Sequence, residues 1–306
     1  MARPLTGIIP PLVTPFTADG DIDEKLLRGQ ARFMLAKGVH GVCMGGSTGE
    51  GHTLTRDELR RTVEITMEEI GDKIPVVAGI IVNSTRQAVF SARDMRDLGV
   101  SGLQITPVHY LFKPDDEATM AHFRAITSET DIPVIIYNVI PWNYLRPDLL
   151  VRLMSELPGI AGVKQSQGDM KLMADLLLAI PKGKVVLSAV DALLYSSFAL
   201  GAHGTIAANP AAIPGVTVTL WDAVQRGDHA LGLEIHAAML RFWNTIAGDN
   251  LPACVKYAVT QQGAPAGVSR APMPMPSAEQ RAAIDRELKA VLAYDRSGSG
   301  TVAHAA

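Results

Sequence analysis

Short apolar runs alternate along the chain with longer amphipathic stretches. Eight of the runs read as strands: 7–13 (GIIPPLV), 39–44 (VHGVCM), 75–81 (PVVAGII), 102–106 (GLQIT), 133–137 (PVIIY), 160–164 (IAGVK), 184–188 (KVVLS) and 203–207 (HGTIA). Most show no polar alternation, which is the pattern of parallel strands buried on both faces. The first run contains two adjacent prolines, which cannot donate to a ladder, so how far that strand extends is left open. Between the runs lie helix signals. Thr55–Glu58 has the form of a capping box, and Leu59, Val63, Met67 and Ile70 then fall on one helical face. Ser84–Gln87 reads as a second box, opening a helix to about residue 98 that Gly99 stops. Asp115 and Pro147 occupy positions suited to an N-cap and a first helical residue.

Strand, helix and strand recurring at roughly 20–35 residues is the βαβ rhythm. Right-handed crossovers turn such a series into a doubly wound sheet or a closed barrel. An open dinucleotide-binding sheet wants Gly-x-Gly-x-x-Gly after its first strand, and Val13–Gly20 has none. The expected fold is therefore α/β, a (βα)8 TIM barrel over residues 1–225. Helical patterns at 229–247, 251–262 and 277–293 predict an extension over 226–295, packed on the barrel. The Gly/Ser/Ala-rich tail, 296–306, is expected to fray.

Composition narrows the function classes. Hydrophobic residues make up 47% and charged residues 19%, which excludes a disordered chain. Lys plus Arg number 28 against 31 Asp plus Glu, a net charge of −3, so nucleic acid and anionic membrane are not expected partners. Cys43 and Cys254 cannot build a disulfide framework or a cysteine-rich zinc site, and read as small buried hydrophobes. No run approaches the ~18 apolar residues of a membrane helix, and prolines break the N-terminal segment where a signal peptide would be continuous. A cytoplasmic protein is expected.

In a (βα)8 barrel the chemistry gathers at the C-terminal ends of the strands. Gly45–Glu50 follows the second strand, Thr106, His109 and Tyr110 the fourth, Tyr137-Asn138 closes the fifth, and Lys164 closes the sixth. Asp191 follows the seventh and Ala207-Ala208-Asn209 the eighth. Lys164 is the anomaly. A lysine at the inner end of a buried strand either snorkels out, pairs with a carboxylate, or stands as a desolvated amine. The last is what a Schiff-base nucleophile toward a ketone needs. Tyr137 would point to the same mouth, as a proton relay helped by Ser47 or Thr48, or as an ordinary core aromatic. Gly46-Ser47-Thr48-Gly49 offers closely spaced N–H groups and two hydroxyls, suited to a carboxylate or phosphate, or is a plain βα loop. Glu50 either orients that loop or caps a helix in solvent. His40 and His203, at strand starts, read as structural, whereas His109 could meet substrate. There is no His-Glu-x-x-His and no carboxylate cluster with ligand spacing, so no metal is expected.

Together these residues resemble the dihydrodipicolinate synthase/N-acetylneuraminate lyase family of Schiff-base lyases. The motifs are Gly46-Ser47-Thr48-Gly49-Glu50, Tyr137-Asn138, Gly162-Val163-Lys164-Gln165-Ser166 with Gly168-Asp169, Ser188–Asp191, and Gly201-Ala202-His203-Gly204. The resemblance runs from Gly7 through the C-terminal helices. It implies that Lys164 condenses with pyruvate or another 2-oxo acid, that Gly46, Ser47 and Thr48 hold the carboxylate, and that Tyr137 moves protons. Tyr110 resembles the tyrosine that this family inserts from a neighbouring subunit, which implies a dimer or tetramer. No cofactor is implied, because the covalent imine is itself the electron sink.

The departures bear on the reaction. The synthase branch carries an arginine five residues after the motif tyrosine, to bind the aldehyde's carboxylate; this chain has Trp142, which cannot replace a bidentate guanidinium. Arg146 lies further on and is expected outside the mouth. Ser47-Thr48 matches the sialate lyase branch, and Asp191 its sugar-binding aspartate, but Ala192 stands where a glutamate should follow. Ala207 and its neighbours offer few hydroxyls, and Trp142 and Val190 are expected to narrow the pocket. These features suggest cleavage or condensation on another 2-oxo acid, or dehydration of a 2-keto-3-deoxy sugar acid, with the synthase activity itself as the alternative. A catalytically silent keto-acid-binding barrel and a sugar-phosphate barrel are the readings from other classes.

Overall fold

A computed structural model describes residues 4–297. Its strands are β1 (Gly7–Ile8), β2 (Val42–Met44), β3 (Val76–Ile80), β4 (Gly102–Ile105), β5 (Val134–Asn138), β6 (Ile160–Gln165), β7 (Val185–Ser188) and β8 (Gly204–Thr205). All pair in parallel, in the order β1-β8-β7-β6-β5-β4-β3-β2. A parallel bridge between Pro11 and Cys43 closes the ring: Leu12 N–H donates to the Cys43 carbonyl at 2.8 Å and Cys43 N–H to that of Pro10 at 2.9 Å. The barrel is the expected one, but β1 is shorter than 7–13. Pro10 and Pro11 have no N–H, so past Ile9 the segment itself donates to the ladder again only at Leu12, although the Pro10 carbonyl still accepts from Cys43.

The helices between the strands are α1 (Glu24–Ala36), α2 (Arg56–Ile70), α3 (Thr85–Asp94), α4 (Asp116–Thr127), α5 (Pro147–Glu156), α6 (Met170–Ala179) and α7 (Leu194–Ala199). After β8 come α8 (Ala208–Ala212), α9 (Pro214–Gln225), α10 (His229–Ile246), α11 (Leu251–Thr260) and α12 (Ala278–Val291). Thr55 forms the full capping box that its spacing predicts, and Ser277 forms another. The Ser84 box is only half made. Ser84 Oγ accepts from Gln87 N–H, but the side-chain Oε1 of Gln87 takes its bonds from Asn83 N–H and the Ser84 hydroxyl, not from Ser84 N–H. The helix it opens ends at Asp94, in a turn that runs on to Gly99 (φ 73°), and not near 98. Of the tail expected over 296–306, everything beyond Ser297 lies outside the described residues.

Period-two alternation sorts the strand residues into two apolar compartments. Val42, Met44, Val134 and Ile136 face the helices, within one large cluster that also takes in Phe242, Val255 and Leu288 of the C-terminal helices. The extension thus shares the core of the barrel wall. Ile9, Cys43, Val77, Ile135, Leu187 and Ile206 face inward and fill the barrel. Cys43 and Cys254 are buried and unbridged, each thiol pushed up to about 11 by burial. His40 and His203 are structural, as expected: each Nδ1 accepts a strand N–H, from Ile8 at 3.1 Å and from Val186 at 3.2 Å. No helix among the described residues is long and apolar enough to cross a membrane.

Candidate active site

The glycine loop after β2 is folded down into the barrel mouth. A Cβ on Gly79 of β3 would lie 2.7 Å from the Gly45 carbonyl carbon, and one on Gly51 would lie 1.8 Å from the Gly45 oxygen. Only hydrogen fits at either place, and Gly45 itself has φ 85°. Glu50 ends the loop in the left-handed region (φ 56°), a strain of about 1–2 kcal/mol for a residue with a Cβ. Its carboxylate holds it there. Oε1 accepts from Lys256 Nζ at 2.6 Å and Oε2 from Arg270 N–H at 2.9 Å, with both ion-pair side chains fully buried. Glu50 is therefore a loop-orienting residue and not a solvated cap. Lys256, on α11, also donates to the Val268 carbonyl at 2.6 Å and lies 4.7 Å from the Phe16 ring centre. Burial lowers its pKa, with Glu50 opposing. The sequence carries a signal for it: a lone charge inside the apolar run Leu251–Val259.

Ile135 faces the barrel interior, so Tyr137, two residues on, does too. Register places Lys164 of β6 beside it. Lys164 is 4% exposed, with Nζ 3.6 Å from the Tyr137 ring centre. Among the described residues it has no ion-pair partner, so it neither snorkels nor pairs. The Tyr137 hydroxyl in turn bonds Ser47 Oγ at 3.1 Å. Asn138 points the other way and fastens the end of β5. Its Nδ2 donates to Gln165 Oε1 at 2.8 Å and to the Leu145 carbonyl, and its Oδ1 accepts from Leu145 N–H.

These groups open onto a cleft of about 420 Å³ whose wall includes Ser47, Thr48, Tyr137, Lys164, Asp191 and Ala207. Six of the expected site residues are thus brought together. Asp191 Oδ1 accepts from Asn209 N–H. Burial pushes its carboxyl up to about 6, while the backbone N–H groups of Asn209 and Ala208 and the charge of Lys164 pull it down. Gly46 lies under the wall, where a Cβ would come 3.6 Å from Gln104 Nε2.

Three expected residues, Trp142, Val190 and His109, fall outside the cleft of this chain, and Tyr110, expected to enter a neighbouring subunit's cleft, lies outside its own. Trp142 is 64% exposed, and its Nε1 donates to the His109 carbonyl at 2.9 Å. It sits on a short turn (Pro141–Asn143) that packs against the loop after β4, so it does not narrow the pocket. Val190 is not on the wall either. Tyr110 is 63% exposed, beside Leu111 and Phe112. His109 turns its Nδ1 to the Pro107 carbonyl. Arg146 pairs with Asp116 and Asp148 in solvent, outside the mouth as expected. The apolar character of the cleft comes instead from Val139, Ile206, Leu251, Pro252 and Met273. His52 and Asp249 also line it and were missed. His52 follows directly on the glycine loop, in the short turn Gly51–Thr53 after β2, so its place at the mouth was open to the same strand-end reasoning, whereas Asp249 arrives on the connection between α10 and α11 and carries no local signal. Among the described residues no three His, Cys, Asp or Glu side chains stand close enough to share a metal ion.

Known proteins agree with this architecture. A sequence profile of the Dihydrodipicolinate synthetase family matches residues 4–291. The 4-hydroxy-tetrahydrodipicolinate synthase of Methanopyrus kandleri is 33% identical over 292 residues, covering 94% of this chain and 97% of that one. The enzyme of the same name from Bradyrhizobium diazoefficiens is 34% identical over 270 residues, covering 87% and 90%. The crystal structure of dihydrodipicolinate synthase from Aquifex aeolicus superposes with a TM-score of 0.85 at 29% identity, over 94% of this chain and 97% of that one. A buried lysine at the end of β6, a tyrosine beside it and a glycine loop above them thus stand on the fold of known relatives, and the chain belongs to the dihydrodipicolinate synthetase family, lyases of the class I aldolase type.

Proposed function

We propose that Lys164 forms a Schiff base with pyruvate or another 2-oxo acid and that the enzyme cleaves or makes a carbon–carbon bond next to it. The observation that carries this is the Lys164 amine: buried, in no ion pair among the described residues, against Tyr137 and open to the cleft. The neutral amine adds to the keto carbon, the resulting hydroxyl leaves as water after taking a proton, and a protonated imine remains. In the cleavage direction the C4 hydroxyl gives up its proton as the C3–C4 bond breaks. The bond's electron pair passes to C3 as an enamine, with the imine nitrogen as the sink, and an aldehyde departs. Protonation at C3 and hydrolysis then release pyruvate and the free amine. Ser47 and Thr48 supply hydroxyls for the 2-oxo acid carboxylate, and Tyr137, bonded to Ser47, carries protons between the hydroxyl groups and the cleft. No metal or organic cofactor enters these steps.

The exposed Tyr110, Leu111, Phe112 and Trp142 form an apolar surface on the loops after β4 and β5. A second copy of the chain covering it would bring Tyr110 toward a neighbouring cleft, and the active enzyme is a homo-oligomer in this proposal. The expected location is the cytoplasm.

Trp142 in place of the synthase arginine, and solvent-paired Arg146, favour a reaction other than condensation with aspartate semialdehyde. Purified enzyme offered a panel of 2-keto-3-deoxy sugar acids is expected to release pyruvate or lose water from at least one of them. Turnover of pyruvate with aspartate semialdehyde at ordinary enzymic rates, and of no other pair, would instead establish the synthase activity borne by the named relatives.

A further inference from the structure

We infer that His52 and Asp249 form a distal subsite that selects 2-oxo acids whose far end is uncharged. The inference deepens the Lys164 chemistry proposed above and rests on it. His52, Gly248, Asp249 and Met273 line the cleft at Lys164 and also line an adjoining cavity of about 560 Å³. The inner cleft alone, at about 420 Å³, is of the size that holds drug-like ligands. Pyruvate, with six heavy atoms, leaves most of it empty. The space has room for a substrate with a longer chain, and a chain that extends into the adjoining cavity passes His52 and Asp249.

The charges along this path decide what the chain can be. Lys164 is consumed by the imine. Arg270, in the adjoining cavity, is fully committed: its guanidinium donates to the Gly20 and Thr53 carbonyls and to Glu58, and its backbone N–H to Glu50. Asn250 and Gln280, on the same wall, bond each other at 3.1–3.2 Å. Two carboxylates, Asp191 and Asp249, face the inner cleft, and no uncommitted arginine or second lysine lines either cavity among the described residues. A distal carboxylate would give up its water shell beside like charges, with no bidentate partner in return. An uncharged end carrying hydroxyl or amide groups can instead donate to Asp249 and accept from or donate to His52.

Trapping with borohydride tests this without any turnover. The wild-type enzyme is reduced in the presence of pyruvate, 5-hydroxy-2-oxopentanoate or 2-oxoglutarate, and the half-saturating concentration for labelling Lys164 is measured. The two longer acids share a five-carbon chain and differ at the far end, hydroxymethyl against carboxylate. The hydroxy acid is expected to half-saturate at a concentration at least tenfold below that of 2-oxoglutarate. Asp249→Arg is expected to shift that ratio at least tenfold toward 2-oxoglutarate. His52→Ala is expected to weaken the hydroxy acid several-fold relative to pyruvate in the same variant. Equal labelling by the two acids, labelling by neither while pyruvate labels, or a ratio unmoved in both variants would overturn the distal subsite and leave Lys164 standing. Absence of labelling by pyruvate as well would remove the chemistry on which the subsite rests.

Discussion

Two buried lysines of this molecule stand in opposite surroundings, one proposed for chemistry and the other fixing the architecture. Lys164 and Lys256 are both nearly or fully withdrawn from water, and each Nζ lies against an aromatic ring, Tyr137 in one case and Phe16 in the other. Lys256 has two acceptors at 2.6 Å, the Glu50 carboxylate and the Val268 carbonyl, and does not line the cleft. Lys164 has no carboxylate partner among the described residues and opens onto the cleft. The amine is the same; what differs is whether its donors are satisfied and whether a reactant can reach it. A buried cation with good acceptors locks segments together, here the glycine loop to α11. A buried amine without them is costly to keep, and its retention points to use.

The largest test of the contrast is Lys164→Met. Loss of the nucleophile is expected to lower activity by at least about 1000-fold. Thermal stability should hold or rise, because an apolar chain of similar length replaces an unpaired amine; a fall in Tm comparable to that of the Lys256 variant would erase the distinction. Lys256→Met should do the reverse. It leaves the Glu50 carboxylate buried without a counter-charge and is expected to cost about 3–5 kcal/mol in urea unfolding, while the folded fraction still traps pyruvate. Adding Glu50→Gln to that variant should recover part of the loss, a coupling that two independent residues would not show. Tyr137→Phe removes the hydroxyl that bonds Ser47. Turnover should drop by about 100-fold or more with the lysine adduct still forming, which would separate proton transfer from imine formation.

The smallest effect concerns Asp191. Its carboxyl is pushed up to about 6, so it carries charge above that pH and sheds it below. A keto acid is an anion and binds more readily beside the neutral form. Affinity for pyruvate should therefore tighten a few-fold as pH falls from about 7 to 5. In Asp191→Asn that slope should flatten, as read from the concentration dependence of trapping at each pH.

Much of this was legible from sequence, for a physical reason. Strands buried on both faces must be apolar throughout, so β3, β5 and β6 stand out as unbroken runs, and the barrel's closure follows from their number. Ser47, Tyr137 and Lys164 were legible because a (βα)8 barrel delivers strand ends to one mouth whatever the intervening helices contain. Trp142 was misplaced because it sits on an irregular turn, where a single bond from Nε1 to the His109 carbonyl sets its direction. Asp249 could not be placed in advance, since its approach to the cleft depends on the docking of α10 and α11, whereas His52 was within reach of the same strand-end logic, two residues past Glu50 on the segment after β2. Lys256 was readable by the same logic as Lys164, but only the structure supplies its partner, Glu50, 206 positions away in the chain.

The most direct measurement is peptide mapping after borohydride reduction with pyruvate, on the wild type and on Lys164→Met. One adduct is predicted, on the peptide carrying Lys164, with none on the peptide carrying Lys256 and none in the variant. An adduct that persists in Lys164→Met, or no adduct with any 2-oxo acid, would contradict the assignment of Lys164 as the nucleophile.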